Sequence, residues 1–445
     1  ARYAGELQTP EAIPPLIGLL STMYSDHRLD AYNALVDLTG CHLGVKKKKW
    51  EEWWEANKDK IEALPVPEDL RVKEEVTSWP VMSDHNFRCR TASGRAQALR
   101  RYAYRQFHRR VIGSVEAALK WLAEHQAEGG YWDVDEFWKG DPKYEGLTLE
   151  QIKKQKQKED DGWVEWDAEV QRPGVGQIGA GMDLPATGLA LMAFCGHGYT
   201  HRHGKYRQQI RKALDWMIKK QDPQTGAFSH NMYIHAICAH AVIELWGVTR
   251  DLELREPAQK AVDFLCEAQN EGAGWRYRPN SKTSDSSVSS WCSMALQTGR
   301  RSGLTVKPEN LIWARKFWDL ITVYTNQQGK KEYGQAFYEL KADGSTGGGG
   351  SYANTAASIL CRIFMGALHR ARSIEAGATY LQDAQTTTRR TRYMWLYATQ
   401  AFFQIGGQPW REWQREVVPE VLKFQVGPSR GKATGEEGSF WAQTR

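Results

Sequence analysis

Two kinds of helical segment alternate along the chain from about residue 111, and this alternation restricts the possible folds more than any other feature. Segments of the first kind, such as IRKALDWMIKK, are apolar on one face at helical spacing. Segments of the second kind, such as MYIHAICAHAVIELWG, are apolar nearly all round and end on glycine. A helix that is apolar on every side is buried on every side. The alternation therefore predicts an outer layer of amphipathic helices around an inner layer of apolar ones.

A short motif follows several of the amphipathic helices: a Gln, then a turn through Gly, then an aromatic residue. It occurs at Gln126 to Trp132, Gln221 to Phe228 and Gln269 to Trp275, and a final copy, Gln425 to Trp441, is split by an insertion. The Gln amide can cap a helix end, and Gly supplies the positive φ that a chain reversal needs. With a closing helix at 410–424, we predict five to six helical hairpins that close on themselves.

This motif resembles the QW motif of squalene–hopene and oxidosqualene cyclases. Longer stretches resemble bacterial proteins, abundant in planctomycetes, with prenyltransferase/squalene-oxidase repeats: HGYTHRHGKY, MYIHAICAHAVIELWG, REPAQKAVDFLCEAQN, GWRYRP, SDSSVSSWCSMAL and YMWLYATQAFFQIGG. The resemblance covers residues 111–441 and implies the α/α toroid of the terpenoid-cyclase and protein-prenyltransferase superfamily. The expected fold is thus all-α, an (α/α)6-type toroid with a central cavity. A shared fold does not carry a function with it.

The toroid is expected at 111–445, with a charged insertion at 133–180, after a linker and basic helix at 61–110. Residues 1–60 resemble a HEAT repeat, since a Pro-containing helix is followed by one that ends at Gly40. Three tryptophans at 50, 53 and 54 share a helical face and are expected to cap this segment. One such hairpin cannot bury its own apolar face. Either further repeats precede Ala1, or the segment packs on the next domain.

The acid of the class II terpene cyclases is not found at the matching position. The resemblance implies an Asp that protonates an alkene, within a D-x-D-D signature that opens an inner helix. The best match is the segment 282–288, where only the last Asp survives, as Asp285, and an acidic residue there also suits a helix cap. Asp133 and Asp135 in WDVDEF form a second group, which opens the insertion instead. These three residues are the catalytic candidates, and none occupies the position of the signature's acid.

The zinc site of the protein prenyltransferases is also not found. That site needs an Asp, a Cys and a His on successive inner helices, whereas SSVSSWCSMAL and YANTAASILC contain no Asp-x-Cys pair and no His. The seven cysteines form no CxxC pair, which predicts buried free thiols. No metal and no cofactor are expected.

Two loops could suggest ligand sites. His197, His201 and His203 in GHGYTHRHG could chelate a metal, and the reading we favour is a polar loop between an inner and an outer helix. GSTGGGGSY lacks the Lys-Ser/Thr ending of a phosphate loop, and we expect a flexible loop there.

The sequence favours a toroid that has lost the superfamily's chemistry and serves as a binding or scaffold protein. An apolar ligand would lie in the hub, and a protein partner would meet the HEAT-like segment. The expected ligand-binding residues are aromatic residues near the inner-helix starts and a histidine near the cavity mouth: Tyr233, His235, Trp291, Tyr352, Tyr393 and Trp395. The alternative is an isoprenoid-active enzyme, like a class II terpene cyclase, with an unconventional acid.

Charge and hydropathy exclude two other classes. The net charge is +6, from 59 basic and 53 acidic residues, and the densest basic run, 88–110, suits the solvated face of a helix. Nucleic-acid binding is therefore not expected. No apolar run is long enough to cross a bilayer, so we expect a soluble protein. The sequence begins without Met and shows no signal peptide, and both the bacterial cytoplasm and the periplasm stay open as its compartment.

Overall fold

A computed structural model describes residues 13–21, 31–32, 35, 39, 41, 43–58, 105–134, 148, 151, 178–327, 331–383 and 392–424. The described residues up to 58 belong to one compact unit, and those from 105 onward belong to a second. Helices dominate both units. Most of the linker and basic helix expected at 61–110, most of the insertion, and the last Gln–Gly–aromatic copy lie outside the described residues.

The smaller unit contains helices α1 (Ile13–Leu19) and α2 (Lys47–Asn57). Its core is built from side chains of both helices and of the segment between them: Ile13, Leu16, Ile17, Leu20, Ala31, Leu35 and Trp50. Trp50 is fully buried, and its indole N–H donates a hydrogen bond of 2.7 Å to the Gly44 carbonyl. Trp53 and Trp54 are half-buried against the same core. Trp50 is thus a core residue of this unit, and its two neighbours cover that core.

The larger unit contains eleven described helices and four strands. In chain order they are α3 (Arg105–Glu124), α4 (Ile178–Gly196), α5 (Arg207–Lys219), α6 (Met232–Thr249), α7 (Leu252–Glu267), β1 (Ser284–Asp285), α8 (Ser286–Arg301), α9 (Pro308–Leu320), β2 (Thr322–Gln327), β3 (Lys331–Leu340), β4 (Thr346–Gly350), α10 (Tyr352–Phe364), α11 (Arg372–Gln382), α12 (Arg392–Ile405) and α13 (Gly407–Phe424).

Alternate helices of this unit pack against one another. Helix α6 contacts α4 and α8, and α10 contacts α8 and α12. The helices between them pack on this series: α7 contacts α6 and α8, and α9 contacts α8 and α10. In α6, 17 of 18 residues are buried, as its all-round apolar sequence predicts. The last helix, α13, contacts the first helix of the unit, α3.

The three Gln–Gly–aromatic turns make equivalent hydrogen bonds. In each turn the Gln amide N–H groups donate to a carbonyl of the same turn and to a carbonyl in the next amphipathic helix. The pairs are Gln126 with Gly130 (2.7 Å) and Gln209 (2.8 Å), Gln221 with Gly226 and Pro257 (2.9 Å each), and Gln269 with Ala273 (2.8 Å) and Asn310 (3.1 Å). Each amide therefore ties two consecutive amphipathic helices together.

The aromatic residue of each turn is held by the apolar helix that follows. Its backbone N–H donates to a side chain of that helix: Trp132 to Thr187 (3.1 Å), Phe228 to His235 (3.1 Å) and Trp275 to Ser289 (2.9 Å). In the second turn, glycine is required before the aromatic residue. A Cβ at Gly226, where φ is +76°, would lie 2.4 Å from the Lys260 carbonyl oxygen. The turns thus fix the spacing between the two kinds of helix.

The expectation of an all-α fold is corrected by a small antiparallel sheet. Strands β2 and β3 pair along their length, with Thr322 opposite Ala336 at one end and Gln327 opposite Lys331 at the other. Strands β1 and β4 also pair with β3. The sheet lies at the chain position where a fourth Gln–Gly–aromatic turn would be. The Ala336 N–H donates at 3.1 Å to Thr355 Oγ1 of the following helix, α10, just as the aromatic N–H donates to the following helix in the three turns. The fold is therefore mainly helical rather than all-α.

The glycine run expected to be a flexible loop is strand β4. Its glycines allow a close approach to β3, since a Cβ at Gly350 would lie 2.6 Å from Gln335 Oε1. On β3, Ala336 and Leu340 are buried, and the strand packs on α10 and α11. The flexible-loop prediction was wrong because strand pairing, rather than local sequence, orders this segment.

Candidate functional site

Aromatic side chains from α6, α8 and α12 meet near the N-terminal ends of these helices. The ring centroids of Tyr233 and Trp291 lie 6.4 Å apart, those of Trp291 and Tyr397 6.0 Å, and those of Tyr393 and Tyr397 4.8 Å. Trp291 and Tyr397 are buried, whereas Tyr233 and Tyr393 are half-buried. We call these four residues the aromatic cluster.

The hydroxyl groups of the aromatic cluster form a hydrogen-bonded network. Ser290 Oγ donates to the Ser287 carbonyl at 2.8 Å and lies 2.9 Å from the Tyr397 hydroxyl, which must therefore donate to it. The Tyr393 hydroxyl lies 3.4 Å from the Tyr397 hydroxyl. Burial raises the pKa of Tyr233, Tyr393 and Tyr397. All three phenols therefore stay protonated at neutral pH and can act as hydrogen-bond donors.

A second polar layer lies further along the same helices. His240 Nε2 lies 3.2 Å from Thr298 Oγ1, and the Thr298 hydroxyl donates to the Met294 carbonyl at 2.8 Å. The Thr298 oxygen is therefore the acceptor, and His240 carries its proton on Nε2. The His240 ring lies 6.4 Å from that of Trp291. One helical turn on, Glu244 is also buried.

Asp285 lies at the start of α8 and caps that helix. Its Oδ1 accepts hydrogen bonds from the Val288 N–H at 2.9 Å and the Ser287 hydroxyl at 2.7 Å. The carboxyl group is fully buried, and its Oδ2 lies 3.7 Å from Arg276 Nε. Burial raises the pKa of Asp285, although those hydrogen bonds and the charge of Arg276 oppose the rise. The cap suggested by the sequence is therefore present.

Strand β3 adds residues to the Asp285 site that sequence reasoning missed. Glu339 is the cross-strand neighbour of Asp285, and its Oε1 lies 2.6 Å from Arg276 Nη1. Tyr338 lies beside them, with its hydroxyl 3.2 Å from the Tyr277 hydroxyl, and burial raises its pKa to about 12. Arg276 thus bridges two carboxylates. The signal in the sequence was GWRYRP, where Arg276 follows the turn aromatic.

Asp133, a second catalytic candidate, lies at a different turn from Asp285. Asp133 is half-buried and follows Trp132 in the turn between α3 and α4, as Arg276 follows Trp275 in its own turn. The adjacent Val134 N–H donates to Asp183 Oδ1 at 3.0 Å. Asp135 lies outside the described residues.

Three of the six expected ligand-binding residues, Tyr233, Trp291 and Tyr393, lie in the aromatic cluster. Tyr352 stacks instead on Tyr380 of α11, with ring centroids 4.6 Å apart. Trp395 is half-buried on α12. Sequence reasoning missed Tyr397, which lies one turn after Tyr393 on the same helix and could have been found from that spacing.

His235 lies within the hairpin of the second Gln–Gly–aromatic turn. It is fully buried, its Nδ1 accepts the Phe228 N–H at 3.1 Å, and its Nε2 lies 3.1 Å from the Ala261 carbonyl. Burial lowers its pKa to about 4. Both ring nitrogens of His235 make hydrogen bonds to the backbone, so its position does not support the predicted role in ligand binding.

The histidine loop between α4 and α5 is anchored by contacts between its histidine and lysine side chains and two carboxylates. His197 Nε2 lies 2.9 Å from Glu116 Oε1, and Lys205 Nζ lies 2.7 Å from Glu116 Oε2. His201 Nε2 lies 2.7 Å from Asp251 Oδ2. Across the described residues, no group of three His, Cys, Asp or Glu side chains is arranged to hold a metal ion. This geometry agrees with a polar connecting loop.

Two clefts lie elsewhere in the larger unit. One, of about 570 Å³, runs between the third Gln–Gly–aromatic turn and the end of β3. The other, of about 250 Å³, lies between α9, α10 and the start of α11. Neither is lined by a residue of the aromatic cluster.

Comparison of the chain with protein-family models, with curated proteins and with solved structures gave no match. The resemblance to the terpenoid-cyclase superfamily therefore depends on the sequence motifs. One helix in the described part of the chain, α6, is long and apolar enough to cross a membrane, but 94% of it is buried inside the protein. Such burial is typical of a core helix.

Proposed function

We propose that the larger unit is a closed ring of helical hairpins of the α/α toroid type. Three observations support this proposal. Apolar helices pack in series from α4 to α12, amphipathic helices lie against them, and α13 contacts α3. The equivalent hydrogen bonds of the three Gln–Gly–aromatic turns also relate their hairpins in the same way, as a ring of repeats requires.

We further propose that this toroid is a non-catalytic binding protein that holds an apolar ligand at the aromatic cluster. The observation that carries the proposal is the convergence of four aromatic rings from three helices, two of them half-buried. Aromatic faces bury a large apolar area, while the phenol hydroxyls supply a few directed hydrogen bonds. The best-suited ligand is a long apolar molecule with one polar end, such as an isoprenoid.

The surroundings of Asp285 support the non-catalytic assignment. Its Oδ1 is occupied by the helix cap, its Oδ2 faces Arg276, and the group is fully buried. A general acid must come within hydrogen-bond reach of the atom that it protonates. A buried, capping carboxyl beside a permanent cation is better suited to holding α8 in place.

Binding of a dansyl-labelled farnesyl probe, with squalene as competitor, tests this function. Replacing Tyr233 or Tyr393 by Ala is expected to weaken binding about tenfold or more, because burying one aromatic side chain contributes about 1.5–3 kcal/mol. Tyr352→Ala is the matched control, since Tyr352 also opens an inner helix but stacks on Tyr380. Equal losses in all three variants would refute the assignment.

One observation favours the isoprenoid-active enzyme as a second candidate: burial raises the pKa of Asp285 at the start of an inner helix. Incubation with squalene or a prenyl diphosphate, followed by mass spectrometry of the products, decides between the two. Asp285→Asn is the informative variant, because Asn keeps the helix cap but cannot donate the proton. Turnover that Asp285→Asn abolishes would establish the enzyme, and absence of turnover in the unmodified protein would leave the binding function.

A further inference from the structure

The pocket of about 250 Å³ between α9, α10 and α11 has a chemistry unlike that of the aromatic cluster. Its walls carry Arg315, Asp319 and Arg362, together with Ala371 and Ser373 from the start of α11. We propose that this pocket binds a small oxyanion, a carboxylate or phosphate group. Its volume lies below the range typical of drug-sized ligands, which favours a compact anion.

Arg362 is the fixed cation of the pocket. It is 5% exposed, its Nε donates to Ser358 Oγ at 3.2 Å, and its Nη2 donates to the Trp318 carbonyl at 2.6 Å and to Thr322 Oγ1 at 3.0 Å. Its Nη1 pairs with Asp319. A guanidinium has five N–H donors, so one on Nη1 remains for a ligand of the pocket that Arg362 lines. Its position is already fixed, so an anion would lose little side-chain entropy in using it.

Arg315 is the exposed cation of the pocket. It lies one helical turn before Asp319 on α9. No hydrogen bond or ion pair of Arg315 is found with any residue that the structure describes. The two guanidinium groups and the single carboxylate of Asp319 leave the pocket with one net positive charge.

The start of α11 adds to this positive potential. The capping residue Ala371 has no side chain that could accept from the first N–H groups of the helix. The Ile374 N–H donates to the Ala371 carbonyl at 2.9 Å, whereas the N–H groups of Arg372 and Ser373 have no acceptor within the helix. The helix dipole also places partial positive charge at this end. Together with the two arginines, these N–H groups match the several acceptor oxygens of a carboxylate or phosphate.

Calorimetric titration of the whole chain with inorganic phosphate, and separately with acetate, at constant ionic strength tests the proposal. We expect saturable binding of at least one anion, which identifies the favoured group. Arg315→Ala is expected to raise its Kd about tenfold or more, because a charge-assisted hydrogen bond is lost. Asp319→Asn is expected to lower the Kd, because it removes the carboxylate that competes for Arg362.

Arg255→Ala on α7 serves as the control, since Arg255 is also an exposed arginine of an amphipathic helix. It changes the net charge as Arg315→Ala does, but lies outside the pocket. Its Kd should equal that of the unmodified protein. The proposal is overturned if neither anion binds saturably, or if Arg315→Ala and Arg255→Ala bind the anion equally well.

Discussion

Replacing His235 by Gln is expected to make the protein less sensitive to mild acid. His235 is fully buried, and its Nδ1 accepts the N–H of Phe228, so a proton on Nδ1 would face another proton. Charging the ring would also cost desolvation energy inside the hairpin. Gln can accept one hydrogen bond and donate another at neutral pH, but it does not titrate.

The magnitude follows from the two pKa values of His235. Its pKa is about 4 in the folded protein, against an ordinary 6.5, so between these values the unfolded chain binds the proton and the folded chain does not. The contribution of His235 to stability is therefore complete above pH 6.5 and falls as the pH drops toward 4. At about 1.4 kcal/mol for each tenfold change in proton affinity, the full loss is about 3 kcal/mol.

Urea unfolding, followed by tryptophan fluorescence at pH 7.5 and pH 4.5, measures this effect. We expect the unmodified protein to lose about 2–3 kcal/mol more than His235→Gln between the two pH values. His203→Gln controls for the loss of a histidine at an exposed position. If the unmodified protein and His235→Gln lose the same free energy of unfolding, the assigned hydrogen bonds of His235 are wrong.

Two further predictions concern the turns. Gln269→Ala removes three hydrogen bonds, two donated to carbonyls and one accepted from Asn310, and should lower the free energy of unfolding by about 3 kcal/mol. Gln221→Ala removes two hydrogen bonds and should lower it by about 1–2 kcal/mol. Equal losses of unfolding free energy in urea would contradict this order. Gly226→Ala should lower the Tm more than Gly344→Ala. Both glycines have positive φ, but of the two only Gly226 faces a backbone oxygen, that of Lys260. Equal Tm values for the two variants would contradict this close contact.

Helix positions could be predicted from periodicity because packing in this unit follows local sequence. The closing helix expected at 410–424 spans Gly407–Phe424, and α6 is as thoroughly buried as its composition requires. The Gln–Gly–aromatic spacing also located three turns whose hydrogen bonds are equivalent. In each case the informative residues lie within a few positions of one another.

The features that the sequence did not predict depend on contacts between distant segments of the chain. Strands β2 to β4 carry no Gln–Gly–aromatic motif, and the glycine run of β4 has little intrinsic strand preference. The Arg276 bridge between Asp285 and Glu339 exists only because β1 pairs with β3. The sequence also could not show that His235 accepts the Phe228 N–H, because this contact depends on the turn geometry.

The location of the ligand is the most direct test of the proposed function. A farnesyl analogue carrying a diazirine can be photo-crosslinked to the protein and the labelled peptides mapped by mass spectrometry. We expect labels on the peptides that contain Tyr233 of α6 and Tyr393 of α12, and we expect squalene to suppress them. Labels confined to other peptides, or labels that squalene does not suppress, would contradict binding at the aromatic cluster.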